Sequence, residues 1–393
     1  MNLMNNLIHY NNENNERQKI EQLALNEIDK TKCLILELST GYGKTKLAID
    51  LVNYICDRVF KKEEELTTIL ILVAKVVHKQ TWENEIKKWG GIKSDYITIE
   101  CYESFKKYKD HYFDVVVLDE VQHLSDKRKE ILDSLNIKEA IIGLSATIKK
   151  DLRNYFLNKY QAKVIKCGIR NAIDNNILPE PMVYLIPLTL DSTKYSYKAK
   201  RFKQKFITTQ KGYYDNISSI IEWYKNKFFN TGNERIKNLW LSQAGNRLKW
   251  LSEQKEGIVL ALLNKLKNCR TLTFCNNIAQ TERLGKYNIT SKNKNSLKNL
   301  DMFNNSKIKH ITACNILNEG VNLTNCRIGI FCNLNSSEII VKQRIGRLLR
   351  HKAPIIIVPY FRFTREEELL NKMLEEYNKD FIKIINNMDD III

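Results

Sequence analysis

What most constrains this chain is an alternation of short, nearly continuous apolar runs with segments of helical periodicity. "CLILEL", "TILILVA", "YITIEC", "VVVLDE", "AIIGLSAT" and "KVIKC" follow one another in its first half. A strand with one wet face alternates apolar and polar residues. A strand of a parallel sheet, covered by helices on both faces, has no such need. Between the first two runs Leu47, Leu51 and Ile55 recur at every fourth residue, the stripe of a helix that packs by one face. A second series, "MVYLIPL", "TLTFC", "KHITAC", "RIGIFC" and "PIIIVPY", begins after Pro179 and Pro181, which should interrupt regular structure. The chain therefore reads as two tandem α/β units with parallel sheets, over 1–178 and 179–363. Between Leu190 and Thr271 there is no strand signal, and about 191–268 reads as a helical insertion in or before the second unit. Residues 364–393 read as a charged amphipathic helix and a short apolar tail.

Charge narrows the partners. The formal net charge is +18 and the pI about 9.3, which favours a polyanion, nucleic acid first, although a basic surface can also simply keep a protein soluble. The nine cysteines form no CxxC pair; Cys269 with Cys275 and Cys326 with Cys332 are spaced too widely for a zinc knuckle or redox pair. Cys33, Cys101, Cys275 and Cys332 fall in strand-like runs, as buried free thiols of a reducing compartment do. The run "TILILVAKVV" is far short of the ~20 residues that span a bilayer. A soluble, intracellular protein is expected, in the host cytoplasm if phage-encoded.

Three motifs carry chemistry. In "ELSTGYGKTKLAIDL" a strand runs into Gly41 and Gly43, then Lys44 and Thr45, then a helix. Glycines let backbone N–H groups fold around phosphate oxygens, and the helix N-terminus adds its positive dipole. Lys44 would reach the β- and γ-phosphates of ATP and Thr45 would hold Mg²⁺. In "VVVLDEVQH" Asp119 and Glu120 leave the end of a buried strand, where open α/β sheets bind ligands. Asp119 would position Mg²⁺ and Glu120 activate water; a solvated acidic pair at a strand end is the plainer reading. In "EIIVKQRIGRLLR", read as a helix, Gln343, Arg347 and Arg350 share one face, with Val341, Ile345 and Leu348 on a packing face. Arginines there would supply positive charge to the leaving γ-phosphate.

Taken in order, "STGYGKT", "DEVQH", "SAT", "EGVNL" and "QRIGRLLR" resemble the motifs of superfamily two helicases, which have two RecA-like domains. The resemblance spans nearly the whole chain. It implies a nucleic-acid-dependent ATPase using ATP and Mg²⁺. Thr40, Gly41, Tyr42, Gly43, Lys44 and Thr45 would bind nucleotide, Thr45 and Asp119 the metal, and Glu120 the water. Gln122, Ser145 and Thr147 would couple ATP state to domain movement. Gly320 and Asn322 would meet nucleotide and strand. Arg347 and Arg350 would be arginine fingers with Gln343 beside them, and Gln18 would read adenine. "LVAKVVHKQTWENEIKKW" and "CYESF" resemble backbone-contacting segments and nominate Lys75 and Tyr102. Gln122 stands where DEAD and DEAH proteins have Asp or His, and Gln343 where RNA helicases of the DEAD type usually have His. Both lean toward the DNA-acting branch, such as small phage-type and repair-type helicases.

"STKYSYKAKRFKQKFITTQKGYY" interleaves cations with Tyr195, Tyr197, Phe202, Phe206, Tyr213 and Tyr214 and has no acidic residue. Aromatics can stack on bases while lysines neutralise phosphates, which nominates Lys198, Arg201 and Lys205. The competing reading is an amphipathic helix with its aromatics in the core. Three other readings of the whole remain: the motor subunit of a larger remodelling, restriction or replication assembly, an RNA helicase, or a nucleic-acid binder without catalysis.

Overall fold

A computed structural model of the chain describes residues 17–63, 65–201, 204–314, 323, 326–334 and 337–393, with the backbone alone at residues 201, 338, 339 and 342. Packing divides it into two compact units. The first holds the described residues through Pro179 together with Lys342–Arg350. The second holds those of Glu180–Leu317, Leu323–Val341 and His351–Ile393. This division follows contacts rather than chain order, so the arginine-bearing segment groups with the first unit and not, as the order of the motifs suggests, with the second.

In the first unit a helix over 17–28 (α1) precedes β1 (Cys33–Leu38), α2 (Lys44–Glu63), β2 (Ile69–Val73), α3 (Val76–Lys88), β3 (Ile97–Cys101), β4 (Tyr112–Asp119), α4 (Asp126–Ser134), β5 (Asn136–Ser145), α5 (Lys150–Tyr160), β6 (Lys163–Cys167) and α6 (Ile169–Asp174). The strands form a sheet in the order β3-β2-β4-β5-β1-β6, and every pairing is parallel. β1 and β2 are buried along their whole length, which is why their sequences lack alternation. Leu47, Leu51 and Ile55 of α2 are buried as their spacing predicts.

Register fixes what this sheet offers at its C-terminal edge. β5 lies between β1 and β4. Glu37 of β1 pairs with Ser145 of β5, and Asp119 of β4 pairs with Leu144. Neighbouring strands are about 4.8 Å apart, so the end of β1 and the end of β4 open at one level, two strand spacings apart.

The second unit contains β7 (Met182–Leu188), β8 (Tyr197–Arg201), β9 (Gln204–Thr208), α7 (Gln210–Thr231), α8 (Glu234–Gln254), α9 (Glu256–Lys265), β10 (Thr271–Phe274), α10 (Ile278–Leu284), β11 (Asn288–Ile289), α11 (Ser296–Asn304), β12 (His310–Ala313), β13 (Ile328–Phe331), β14 (Ile355–Phe361), α13 (Arg365–Leu374) and β15 (Ile382–Ile384). α12 (Glu338–Leu348) begins within it by sequence. Among the described residues its sheet runs β11-β12-β10-β13-β14-β7-β15, parallel throughout. The C-terminal residues are more than a tail: β15 adds a strand beside β7, and Ile391 is buried.

The region expected to be wholly helical is not. β8 and β9 form an antiparallel hairpin, because Tyr197 and Ala199 turn inward while Lys198 and Lys200 turn outward, a period of two and not of 3.6. The helices α7 and α8 that follow form an antiparallel arm. Gly232 ends α7 with φ 63° and Asn233 caps α8, accepting from the Arg235 N–H, so glycine and asparagine reverse the chain within two residues.

A buried ion pair holds the base of this arm. Lys255, between α8 and α9, donates to Glu366 Oε1 at 2.5 Å, and the two side chains are 0% and 1% exposed. Lys255 also donates to the Pro359 carbonyl at 3.2 Å, and Glu366 Oε2 accepts from the Phe361 N–H at 3.0 Å. Breaking such a pair by removing one partner costs about 3–5 kcal/mol, because the other charge stays buried and unpaired. Lys255→Met should therefore lower the urea midpoint of the second unit's unfolding, and adding Glu366→Leu should restore much of the loss. An unchanged midpoint in Lys255→Met would show that the pair does not hold the unit together.

Candidate nucleotide-binding site

The loop between β1 and α2 is built around two glycines. Gly41 has φ +93° and Gly43 φ +102°, conformations costly for any residue with a Cβ. The Tyr42 N–H donates to the Ser39 carbonyl at 3.2 Å and the Leu47 N–H to the Gly43 carbonyl at 3.1 Å, so the loop closes directly onto the helix. No acidic residue occupies the first turn of α2, which leaves its positive end to an outside anion. Lys44, its first residue, donates to the Leu38 carbonyl at 3.0 Å and the Ser39 carbonyl at 3.5 Å. Burial lowers the Lys44 pKa and nearby Arg350 and Arg347 lower it further, while Glu120 and Asp119 oppose the shift.

The acidic pair stands at the end of β4. Asp119 Oδ2 accepts from the Trp82 indole N–H at 2.9 Å. Burial, and next the charge of Glu120, push the Asp119 carboxyl up to about 6, against the indole hydrogen bond and Lys44. Glu120 has φ 50° and ψ 61°, a left-handed conformation that costs about 1–3 kcal/mol in a residue other than glycine and collects at functional sites.

Gln122, Ser145 and Thr147 form a chain leading from this carboxylate. The Gln122 Nε2 donates to Glu120 Oε2 at 2.7 Å, and the Ser145 hydroxyl lies 2.7 Å from Gln122 Oε1 and 2.9 Å from the Thr147 carbonyl. The Thr147 N–H donates back to Ser145 Oγ at 3.1 Å. Glu37 joins the loop to the same region: it is buried at the end of β1, pairs with Arg153 and accepts from the Ile148 N–H at 3.3 Å. Sequence reading missed Glu37, although a charge inside an apolar strand run was its signal.

One cavity of about 680 Å³ collects most of the nominated residues. Gln18, the loop from Thr40 to Thr45, Asp119, Glu120, Arg347 and Arg350 all line it, and all belong to the first unit. His78, Trp82, Glu85 and Trp89 line it as well. They recur along α3 and its C-cap at helical spacing, a pattern visible in a stretch whose family likeness points to nucleic acid instead. Gln343 is buried and does not line the cavity, and neither do Gln122, Ser145 or Thr147. Val341, Ile345 and Leu348 are buried as the helix reading requires. However, α12 ends at Leu348, so Arg350 lies in the following turn and shares no helical face with Gln343. Gly320 and Asn322 lie outside the described residues.

Thr45 and Asp119 supply oxygen donors to the same cavity, and no group of three or more His, Cys, Asp or Glu side chains suited to a metal exists among the described residues. A sparse set of hard oxygen donors fits Mg²⁺ shared with phosphates and not a protein-only metal cage.

The nucleic-acid assignments divide. Lys75 is exposed where β2 meets α3. Tyr102 is 2% exposed and packs in the core of the first unit, so its ring is not available to a strand; its apolar neighbours outweigh its single hydroxyl. Lys198 and Lys205 are exposed. Lys198 faces Ile207 and Lys200 faces Lys205 across the hairpin, and directly opposed residues share a face. The opposite face packs: Tyr197 contacts the rings of Tyr213 and Trp250 and donates its hydroxyl to Gln254 at 2.6 Å. Tyr214 is buried. Lys194, Lys198, Lys200 and Lys205 thus face solvent while Tyr197, Tyr213 and Tyr214 pack, and Tyr195 and Phe206 stay exposed. The Arg201 side chain lies outside what is described.

The sequence profile of the family described as "Helicase conserved C-terminal domain" matches residues 253–352. The DNA 3'-5' translocase XPB2 of Sulfurisphaera tokodaii is 22% identical over 368 residues, covering 82% of this chain and 76% of its own. The chain is thus similar to the superfamily two helicases. Among solved structures, the Hef helicase domain of Pyrococcus furiosus superposes with a TM-score of 0.52 at 13% identity, over 90% of this chain and 97% of that one. A fragment of a putative HsdR subunit of a type I restriction enzyme from Vibrio vulnificus gives 0.61 at 17%, over 93% and 67%. These likenesses establish the helicase fold of two RecA-like domains. No helix among the described residues is long and apolar enough to cross a membrane.

The burial of Tyr102 has a measurable consequence. Its hydroxyl is buried without a hydrogen-bond partner, and removing such a group relieves a desolvation cost of about 1–3 kcal/mol. Tyr102→Phe should leave stability unchanged or raised and nucleic-acid affinity unaltered. A clear loss of affinity in a filter-binding titration would return Tyr102 to the strand path.

Proposed function

We propose that this chain is a superfamily two helicase, a DNA-dependent ATPase that uses ATP hydrolysis to translocate along nucleic acid. The observation that carries this reading is the single cavity joining Lys44, Thr45, Asp119, Glu120, Arg347 and Arg350. Here the glycine loop and Lys44 bind the β- and γ-phosphates. Thr45 and Asp119 hold Mg²⁺, which when bound neutralises phosphate charge. Glu120 orients and deprotonates the attacking water, and Arg347 and Arg350 stabilise charge on the γ-phosphoryl group as it transfers. Gln18 contacts adenine. The chain Glu120–Gln122–Ser145–Thr147 carries the state of the γ-phosphate toward the rest of the protein, and Gln343 supports the arginines from its buried position. The first unit is the ATP-binding domain and the second the helicase C-terminal domain. Alternation between closed and open arrangements during hydrolysis moves the strand. Gly320 and Asn322 take the family's roles beside nucleotide and strand.

Nucleic acid is held mainly at phosphates, by Lys75 and by the outward face of the β8–β9 hairpin with Lys198 and Lys205, and by Arg201; sequence preference is therefore slight. DNA is favoured over RNA by the likeness to a DNA translocase. The likeness to an HsdR subunit supports a second reading, in which the chain is the motor of a larger assembly whose partners supply specificity.

Three measurements decide the matter. Lys44→Ala should abolish phosphate release, and Glu120→Gln should retain ATP while hydrolysing little of it; near wild-type turnover in Glu120→Gln would remove Glu120 as the water-activating group. Arg350→Ala should lose on the order of a thousandfold in DNA-stimulated rate with ATP binding better preserved, and an undiminished rate would place it outside the reaction. Replacing Lys198 and Lys205 with glutamine should flatten the salt dependence of single-strand binding by about 0.7 in log–log slope for each phosphate no longer neutralised. An unchanged slope in a folded variant would assign the hairpin a structural role alone.

A further inference from the structure

α3 is almost entirely a surface helix: His78 and Trp82 are its buried side chains, and both line the nucleotide cavity. Trp82 is 1% exposed, so its large ring is fixed at the cavity wall. An indole has one polar atom, a donor, which needs a partner when buried. Here the partner is Oδ2 of Asp119, at 2.9 Å. This choice is chemically specific. The N–H is neutral and carries no competing charge, and the ring has few rotamers into which the donor could drift. A carboxylate anchored through one oxygen loses rotation about its Cβ–Cγ bond. The carboxylate is therefore held by a neutral donor before any cation arrives.

We propose that Trp82 is a positioning residue for a divalent cation: its indole N–H sets the plane in which the Asp119 carboxylate meets the metal. The inference rests on Asp119 being a metal ligand of the ATPase. Groups that orient a metal ligand from behind typically change metal affinity about 10–100-fold when removed.

The test is a titration of ADP affinity against Mg²⁺ by calorimetry, which needs no turnover. In the wild type, ADP should bind more tightly as Mg²⁺ is added. Trp82→Phe keeps the ring and deletes the donor. It should bind ADP in EDTA as the wild type does, but need about tenfold more Mg²⁺ to reach the half-point of the enhancement. Trp82→His, which retains a ring N–H, should lie closer to the wild type. A folded Trp82→Phe with an unshifted Mg²⁺ half-point overturns the proposal, as does an equal loss of affinity with and without metal, which marks a purely structural role. If the wild type shows no Mg²⁺ effect on ADP at all, the metal assignment of the site itself fails, a result distinct from an unshifted variant. Should Trp82→Phe not fold, Trp89→Phe labelled with ¹⁵N-tryptophan serves instead. Mn²⁺ added with ADP should broaden one indole N–H signal beyond detection, and indole signals that all stay sharp overturn the assignment.

Discussion

The parallel register of β1, β5 and β4 is the constraint on which the site depends. Glu37 lies level with Ser145 and Asp119 level with Leu144, so the glycine loop and the acidic pair leave the sheet side by side. Ser145, on the strand between them, is placed to bridge. A slip by one residue would turn every side chain of the strand to its other face and dissolve both the cavity and the hydrogen-bonded chain from Glu120 to Thr147. The deep burial of β1, β2 and β4 makes such a slip prohibitive, because each of these strands packs on both faces.

Charges of both signs line the cavity, with cations in slight excess. Lys44 and two arginines face Asp119 and Glu120 across the same space. Burial works against the charged forms of both Lys44 and Asp119, and the opposite charges restore part of what burial takes. Phosphates and a cation entering together would add charge of both signs, which disturbs such a site less than either alone. The left-handed Glu120 belongs to the same design, since the strain aims its carboxylate and the adjoining hydrogen bonds hold it there.

In the second unit the arm and hairpin depend on interactions at long sequence separation. Lys255 and Glu366 are 111 residues apart and yet form the buried connection between the arm's base and the first turn of α13. Tyr197, Tyr213 and Trp250 likewise meet from the hairpin and from both arm helices. Of the aromatics that look like a base-stacking surface when written in a line, Tyr197, Tyr213 and Tyr214 are consumed by packing while Tyr195 and Phe206 stay exposed, and Lys194, Lys198, Lys200 and Lys205 are left on the outside.

By itself the sequence determined the six strands of the first sheet, five of the seven described in the second, the glycine loop and the acidic pair at a strand end. Each is legible because it is local: an unbroken apolar run, or a glycine where φ must be positive. The buried face of α12 is legible for the same reason, as a period of about 3.6. Only tertiary structure decided that 197–208 pairs as a hairpin, that Ile382–Ile384 extends a sheet, that Tyr102 is buried, and that Trp82 holds Asp119. Five-residue runs rich in lysine are too short to carry a reliable period, and whether a tyrosine faces core or solvent depends on what packs over it. A hydrogen bond between residues 37 positions apart exists only once two strands and a helix have fixed where each atom stands.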